Sequence, residues 1–266
     1  MKSAISTVLL TAVFVFLLAP IIVVVVSSFN AVGVLSFPPR SFTTRWYSEI
    51  DPTYTQALLV SLKVAAITVS IAVVVGVPGA LALARGSFPG RSLLNAACLS
   101  PLMVPALVVG VAAFQFSLVV WDHFGVVLGG TMAGLVLGHL TFAIPFVVRA
   151  VLAAHTHFDY SIEEAAQSLG ATPGQTFFHV TLPMLRPGIA SGAIFAFLIS
   201  LDEVPIALFM GSGDNTTLPV KIFTAMEINF GGDILAVASV IVVVSVILMF
   251  MLDRVVGLER LFATRH

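Results

Sequence analysis

Ser161 to Pro183 reads S-I-E-E-A-A-Q-S-L-G-A-T-P-G-Q-T-F-F-H-V-T-L-P, a polar island between two apolar runs, Leu128 to Val151 and Gly188 to Met210. Its turn chemistry predicts two short helices. Ser161 is placed to cap the first, with Glu164 three residues on at capping-box spacing, and Gly170 to close it in the left-handed conformation. Thr172 is placed to cap the second, with Pro173 at its first position, Gln175 reaching back and Pro183 as its stop. A well-capped helical pair between two membrane-length runs is built to meet something outside the membrane. The reading of the whole chain follows from that contrast.

Hydrophobic residues make up 59% of the chain and charged residues 9%, against roughly 45–50% and about 25% in soluble domains. That much apolar surface has no water-soluble solution, so lipid is the main solvent. The net charge of −1 argues against a nucleic-acid partner. Cys98, the one cysteine, sits in an apolar run as a packing residue, which excludes an internal disulfide or a cysteine-based metal cage.

A bilayer-crossing helix needs about 20 mostly apolar residues. Six runs qualify: Ile5 to Val26, Ala57 to Ala84, Leu93 to Val120, Leu128 to Val151, Gly188 to Met210 and Ile234 to Leu252. The expected fold class is therefore an all-α integral membrane protein with six transmembrane helices, one domain over residues 1–266. The first run exceeds the usual 7–15-residue core of a signal peptide, and Ser27-Ser28-Phe29-Asn30 is a poor cleavage site. It is read as a retained span.

With the amino terminus in the cytoplasm, the inner side holds Lys2, Arg85, Arg91, Arg149, Arg186, Arg254, Arg260 and Arg265, and the outer side only Arg40, Arg45 and Lys221. Eight against three satisfies the positive-inside rule. Lys63 lies near the outer end of the second span, where its stem can snorkel. Both termini and the polar island, within a loop over 152–187, are then cytoplasmic. Two outer segments, Phe29 to Gln56 and Gly211 to Asp233, exceed simple turns; Trp46 and Tyr47 in the first read as interfacial anchors.

The spans are punctuated by Gly76-Val77-Pro78-Gly79, Pro101, Pro105, Pro145 and Pro205. Backbone groups freed by such breaks need protein or water partners, which suits helices bent around a pathway. Asp202 and Glu203 are the sharpest polar feature. Rising from Gly188, Asp202 lies about 21 Å along the fifth span at 1.5 Å per residue. An ionisable group there costs about 2.5 kcal/mol or more on insertion scales. Two readings stay open: a pathway contact for a cationic solute, or a structural bond, for which Lys63 is the candidate partner. His139 reads as an interhelical hydrogen bonder. His155-x-His157 has no companion cluster to complete a metal site.

Two motif readings fail. The second helix of the island, Pro173 to Val180, carries no Lys or Arg, so the pair is not a DNA-reading helix-turn-helix. None of Lys2, Lys63 or Lys221 follows a glycine, so no phosphate-binding G-K-[ST] exists. Any ATP used here is bound by another chain. The thin polar set within the spans offers no catalytic constellation, metal or cofactor site. An ion-coupled secondary transporter stays open as an alternative: it would need coupling-ion carboxylates and no docking element such as the island, and transport independent of ATP would favour it.

Glu164-Ala165-Ala166, three residues, Gly170, nine residues, Val180, one residue and Leu182-Pro183 resemble the E-A-A-x3-G-x9-I-x-L-P signature of ABC importer permeases, with Val180 where isoleucine is usual. Pro101-Leu102-Met103-Val104-Pro105, Gly138-His139-Leu140 to Pro145 with Arg149, Ser200 to Val204 and Thr217 to Val220 resemble the spermidine/putrescine-type branch, from about Ala57 onward. The resemblance implies a type I importer permease in a bacterial inner membrane, without catalytic residues of its own. Its loop residues Glu164, Ala165, Ala166, Gly170, Leu182 and Pro183 would couple to a cytoplasmic ABC ATPase dimer. A second permease subunit and a periplasmic solute-binding protein would complete it. Relatives of this type carry polyamines, opines, amino-acid derivatives and other small solutes.

Overall fold

Proline, glycine or a capping side chain marks many of the helix ends in this chain. The computed structural model describes residues 2–33, 36–156, 158–228 and 231–256. In order they form α1 Lys2–Ser27, α2 Arg45–Ser48, α3 Pro52–Arg85, α4 Arg91–Met103, α5 Ala106–Phe124, α6 Met132–His155, α7 Tyr160–Ser168, α8 Pro173–Thr176, α9 Leu182–Asp202, α10 Pro205–Met210, α11 Leu218–Ile228 and α12 Gly232–Val256. Among the described residues five helices are long and apolar enough to cross a membrane: Ser6–Ser27, Pro52–Arg85, Ala106–Phe124, Met132–His155 and the continuous Pro173–Asp202. Gly232–Ile247 is a shorter apolar helix. The fold is all-α and multi-span.

Two of the expected spans are interrupted. The run Leu93 to Val120 splits at Val104, whose extended backbone (φ −91°, ψ 140°) ends α4. Pro105 disfavours the helical region for the residue before it, and α5 starts afresh behind it. The run Gly188 to Met210 breaks at Glu203 and Val204, again just before a proline. Pro78 and Pro145, by contrast, lie inside unbroken helices. The fourth span starts later than Leu128, because Thr131 accepts from the Gly134 amide at 3.1 Å and caps α6.

The chain divides into two compact units. The first is built from the described residues of Met1–Gln56 and Lys221–Met251. In it the Tyr47 hydroxyl lies 2.6 Å from Ser28 Oγ and 2.7 Å from Ser239 Oγ, tying the end of α1 to α12. The Trp46 indole donates to the Asn30 carbonyl at 2.9 Å. Both rings expected as interfacial anchors thus have specific partners within this unit.

The second unit is built from the described residues of Ala57–Val220 and Leu252–His266. α6 lies at its centre and buries Leu135, His139, Phe142, Val147 and Val151. It packs along α9 through glycines. A Cβ on Gly188 would stand 2.8 Å from the Ala150 carbonyl, and one on Gly192 would stand 3.0 Å from Val147 Cα. Lipid is as apolar as a side chain, so close van der Waals approach between small residues is what favours this pairing. His139 Nδ1 reaches Ser200 Oγ at 2.7 Å across the same seam, the interhelical bond its sequence position suggests.

Candidate functional site

The polar island folds as two capped helices whose caps differ in part from expectation. Asp159, in extended backbone, accepts from the Ser161 amide at 2.9 Å and is the N-cap of α7. Ser161 therefore sits inside the first turn and not at its cap: an aspartate two residues earlier reaches the free amide first. Thr172, Pro173 and Gln175 form the expected capping box of α8, with Gln175 Oε1 accepting from the Thr172 amide at 2.8 Å. Gly170 ends α7 at φ +92°. The Ala171 amide donates to the Ala166 carbonyl at 3.0 Å and the Gly170 amide to the Gln167 carbonyl at 2.9 Å. This is the paired bonding of a Schellman turn.

Pro183 does not stop the second helix. Residues Phe177–Thr181 form a π-turn, and the Leu182 amide donates to the Phe177 carbonyl. Pro183 then falls in the first turn of α9. Proline has no amide to donate and crowds the carbonyl four residues back, so the wider i→i+5 turn lets the chain pass it without ending.

Glu164 and Ala165 are exposed, and Leu169 is 90% exposed at the tip of the turn. Phe178 is 64% exposed. A pocket of about 460 Å³ lies between the two helices, lined by Ala166, Leu169, Gly170, Ala171, His179 and Val180. Leu182 and Pro183, the first two residues of α9, are half-buried. Leu169, just past the capped helix, thus leaves a large apolar side chain open to a partner.

Beneath the exposed face, Glu163 is buried. Its carboxylate accepts from both Arg85 guanidinium nitrogens, Nη2 at 2.8 Å and Nη1 at 3.1 Å, and from the Thr181 hydroxyl. The Arg85 guanidinium lies 5.1 Å from the Phe158 ring and 5.6 Å from the Tyr160 ring. His155 stacks on Phe158 at 5.1 Å. Burial pushes the Glu163 carboxyl up, but hydrogen bonds from Arg85 and Thr181 and the guanidinium charge outweigh it and hold it below the ordinary glutamate range. Reading the sequence singles out Glu164 and passes over Glu163, Arg85 and Thr181. The available signal was the Glu163-Glu164 pair itself: neighbours on a helix point about 100° apart, so one of the two faces inward. His157, of the His155-x-His157 pair, lies outside the described residues.

The two carboxylates of the fifth span separate in role. Glu203 is buried at the break between α9 and α10. Its Oε2 accepts from the Ile206 amide at 2.7 Å and the Ala207 amide at 3.1 Å, so it caps α10. Asp202, the last residue of α9, is exposed. Lys63 is exposed and forms no ion pair with either carboxylate.

Residues 2–258 match the family described as "Binding-protein-dependent transport system inner membrane component". The chain is 34% identical over 231 residues to the putrescine transport system permease protein PotI of Escherichia coli (strain K12), covering 86% of this chain and 82% of that one. It is 30% identical over 241 residues to the spermidine/putrescine transport system permease protein PotC of the same strain, covering 90% and 89%. Among solved structures it resembles a chain of a bacterial ABC transporter involved in importing the acidic polysaccharide alginate. That likeness has a TM-score of 0.71 at 17% identity, covering 99% of this chain and 96% of the other.

Proposed function

The chain belongs to the family of binding-protein-dependent transport system inner membrane components and is a permease subunit of an ABC importer, and from that premise we propose that it carries a polyamine or a related amine-bearing solute from periplasm to cytoplasm. The observation that carries the solute class is the 34% identity to a putrescine permease along 86% of the chain. The chain is a multi-pass inner-membrane protein and not itself an enzyme; the ATP-hydrolysing site belongs to a separate subunit.

In this reading residues 1–266 act as one permease domain with six spans. α12 supplies the sixth: its 25 residues extend about 37 Å at 1.5 Å per residue, enough for a hydrocarbon core of about 30 Å. Both termini and the Ser161 to Pro183 island face the cytoplasm, as the eight-to-three basic asymmetry favours. Glu164, Ala165, Ala166, Gly170, Leu182 and Pro183 form the coupling element. The exposed Leu169 knob and its pocket supply the surface that meets an ABC ATPase dimer. A second permease chain, paralogous to this one, completes the pathway, and a periplasmic binding protein delivers solute above Asp202. ATP-driven closure of the ATPases moves the coupling elements and turns the spans from inward- to outward-facing. Asp202 contributes negative potential to the cationic solute, while Glu203 holds the helix break beside it.

The test is reconstitution of the complete transporter in proteoliposomes with its binding protein and radiolabelled putrescine. ATP-dependent uptake that competes with spermidine is expected. Uptake independent of ATP would overturn the importer assignment, and ATP-driven uptake of a solute other than an amine would overturn the solute class alone.

A further inference from the structure

The proposed docking element is a nine-residue helix, and transmitting a push from it requires a fixed tie to the spanning helices. The tie comes from one carboxylate. Glu163, in the first turn of α7, is buried against Arg85, the last residue of the 34-residue α3. The two parallel contacts, 2.8 and 3.1 Å, make a fork that fixes orientation as well as distance. The same carboxylate accepts from Thr181, in the π-turn that opens into α9. The guanidinium plane lies over Phe158 and Tyr160, and through Phe158 reaches His155, the last residue of α6. The ends of α3, α6, α7 and α9 therefore meet at one ion pair. The pair also joins the negative end of α3 to the positive end of α7, so each helix dipole favours the charge placed at it.

We infer that Arg85 and Glu163 form a transmission clamp: positioning residues that bind the docking helix rigidly to the spanning helices, so that displacement of α7 moves α3, α6 and α9 together. This inference rests on the permease reading. The surface that meets the ATPase is the exposed face carrying Glu164 and Leu169, and the clamp lies on the buried face of the same helix. Docking and transmission are thereby assigned to adjacent glutamates. Loss of the clamp leaves the docking knob in place but lets α7 tilt against α3, which uncouples ATP turnover from transport. A role confined to stability would instead lower the amount of assembled transporter and leave the survivors fully coupled.

The experiment uses the complete transporter in proteoliposomes with radiolabelled putrescine, comparing wild type with Arg85→Lys and Glu163→Gln. Lysine keeps the charge and loses the planar fork; glutamine keeps the shape and loses the charge. Both variants are expected to co-purify with the ATPase and to hydrolyse ATP. Solute moved per ATP should fall by about fivefold or more, the size of a typical coupling between sites. Unchanged solute per ATP in either variant, whether with normal or reduced abundance, overturns the clamp. A second readout needs no clamp variant: spin labels at the exposed positions Gln167 on α7 and Ala82 on α3 report their separation in nucleotide-free and vanadate-trapped transporter. An unchanged distance is expected, and a separation that changes between the two states overturns the proposal. Absence of ATP-driven uptake by wild type would count against the permease's proposed solute and leave this distance test standing.

Discussion

Gly170→Val is the most direct probe of the proposed docking element. Gly170 sits at φ +92°, and a Cβ built there meets nothing within 4 Å. The β-carbon therefore adds no clash, and the backbone's share of the cost is about 1–2 kcal/mol for an L-residue held in left-handed conformation. The two hydrogen bonds that close the turn, Ala171 to Ala166 and Gly170 to Gln167, contribute roughly 0.5–1.5 kcal/mol each. Strain and restraint are thus of one size, so the turn between α7 and α8 opens in a large share of molecules. A shift of one to two kcal/mol changes the ratio of closed to open turn by about 5–30-fold. Gly170→Asn is the control, because asparagine visits left-handed conformation readily. Membrane abundance, co-purification with the ATPase subunit and solute uptake should be measured on all three proteins. Normal abundance is expected throughout, with weak co-purification and lost uptake in the valine variant and near-normal values in the asparagine variant. Valine and asparagine variants that both transport like wild type would refute the argument from φ and, with it, the assignment of Gly170 to coupling.

Three further outcomes follow from the same geometry. A membrane-impermeant thiol reagent applied to intact cells should modify a cysteine placed at Asn215 and not one at Gln175; labelling at Gln175 would invert the topology. Asp202→Asn should lower putrescine uptake at unchanged abundance, whereas Glu203→Ala should lower thermal stability by about 0.5–2 kcal/mol, the usual cost of a lost helix cap, and Glu203→Gln should retain most of it; a stable Glu203→Ala variant would show that the two amides of α10 find other acceptors. Because the folded Glu163 carboxyl is held below its ordinary value of 4.5, its contribution is present above that value and is lost as pH falls through the folded-state value. Protease resistance of the 156–172 segment should therefore stay flat from pH 8 to about pH 5 and decline below about 4.5 in wild type, while Glu163→Gln shows no such decline; identical acid profiles would contradict the charged pair.

Most of the spans are legible because lipid imposes a single rule: an apolar run of sufficient length satisfies its own backbone as a helix. Lys2–Ser27 and Pro52–Arg85 enclose the runs expected there. The breaks are less legible, because proline's effect depends on what surrounds it. Pro145 passes unnoticed inside α6, whereas Pro105 and Pro205 each stand behind a residue that has left the helix. At Pro205 the difference has a visible cause. Glu203 turns its carboxylate onto the Ile206 and Ala207 amides that the break exposes, so the chain supplies its own acceptor where lipid supplies none. An acid in a span followed two residues later by proline is a cap signal that hydropathy alone does not carry.

The polar island shows the same division between local and distant information. Thr172, Pro173, Gln175 and Gly170 act on backbone within a few residues, so their roles in α8 and the turn can be read from spacing. Ser161 fails that reading because Asp159, two residues earlier, takes its place. Glu163 fails for a different reason: its partner Arg85 is 78 residues away, and nothing in the local pattern announces the pair. The physical asymmetry between the neighbouring glutamates is nevertheless strict. Only one of them can point into the bundle of helix ends, and a carboxylate that does so needs a cation and further donors to offset its desolvation. Arg85 and Thr181 supply both. The buried glutamate has taken the positive charge at the end of α3, and its neighbour Glu164 remains on the exposed face.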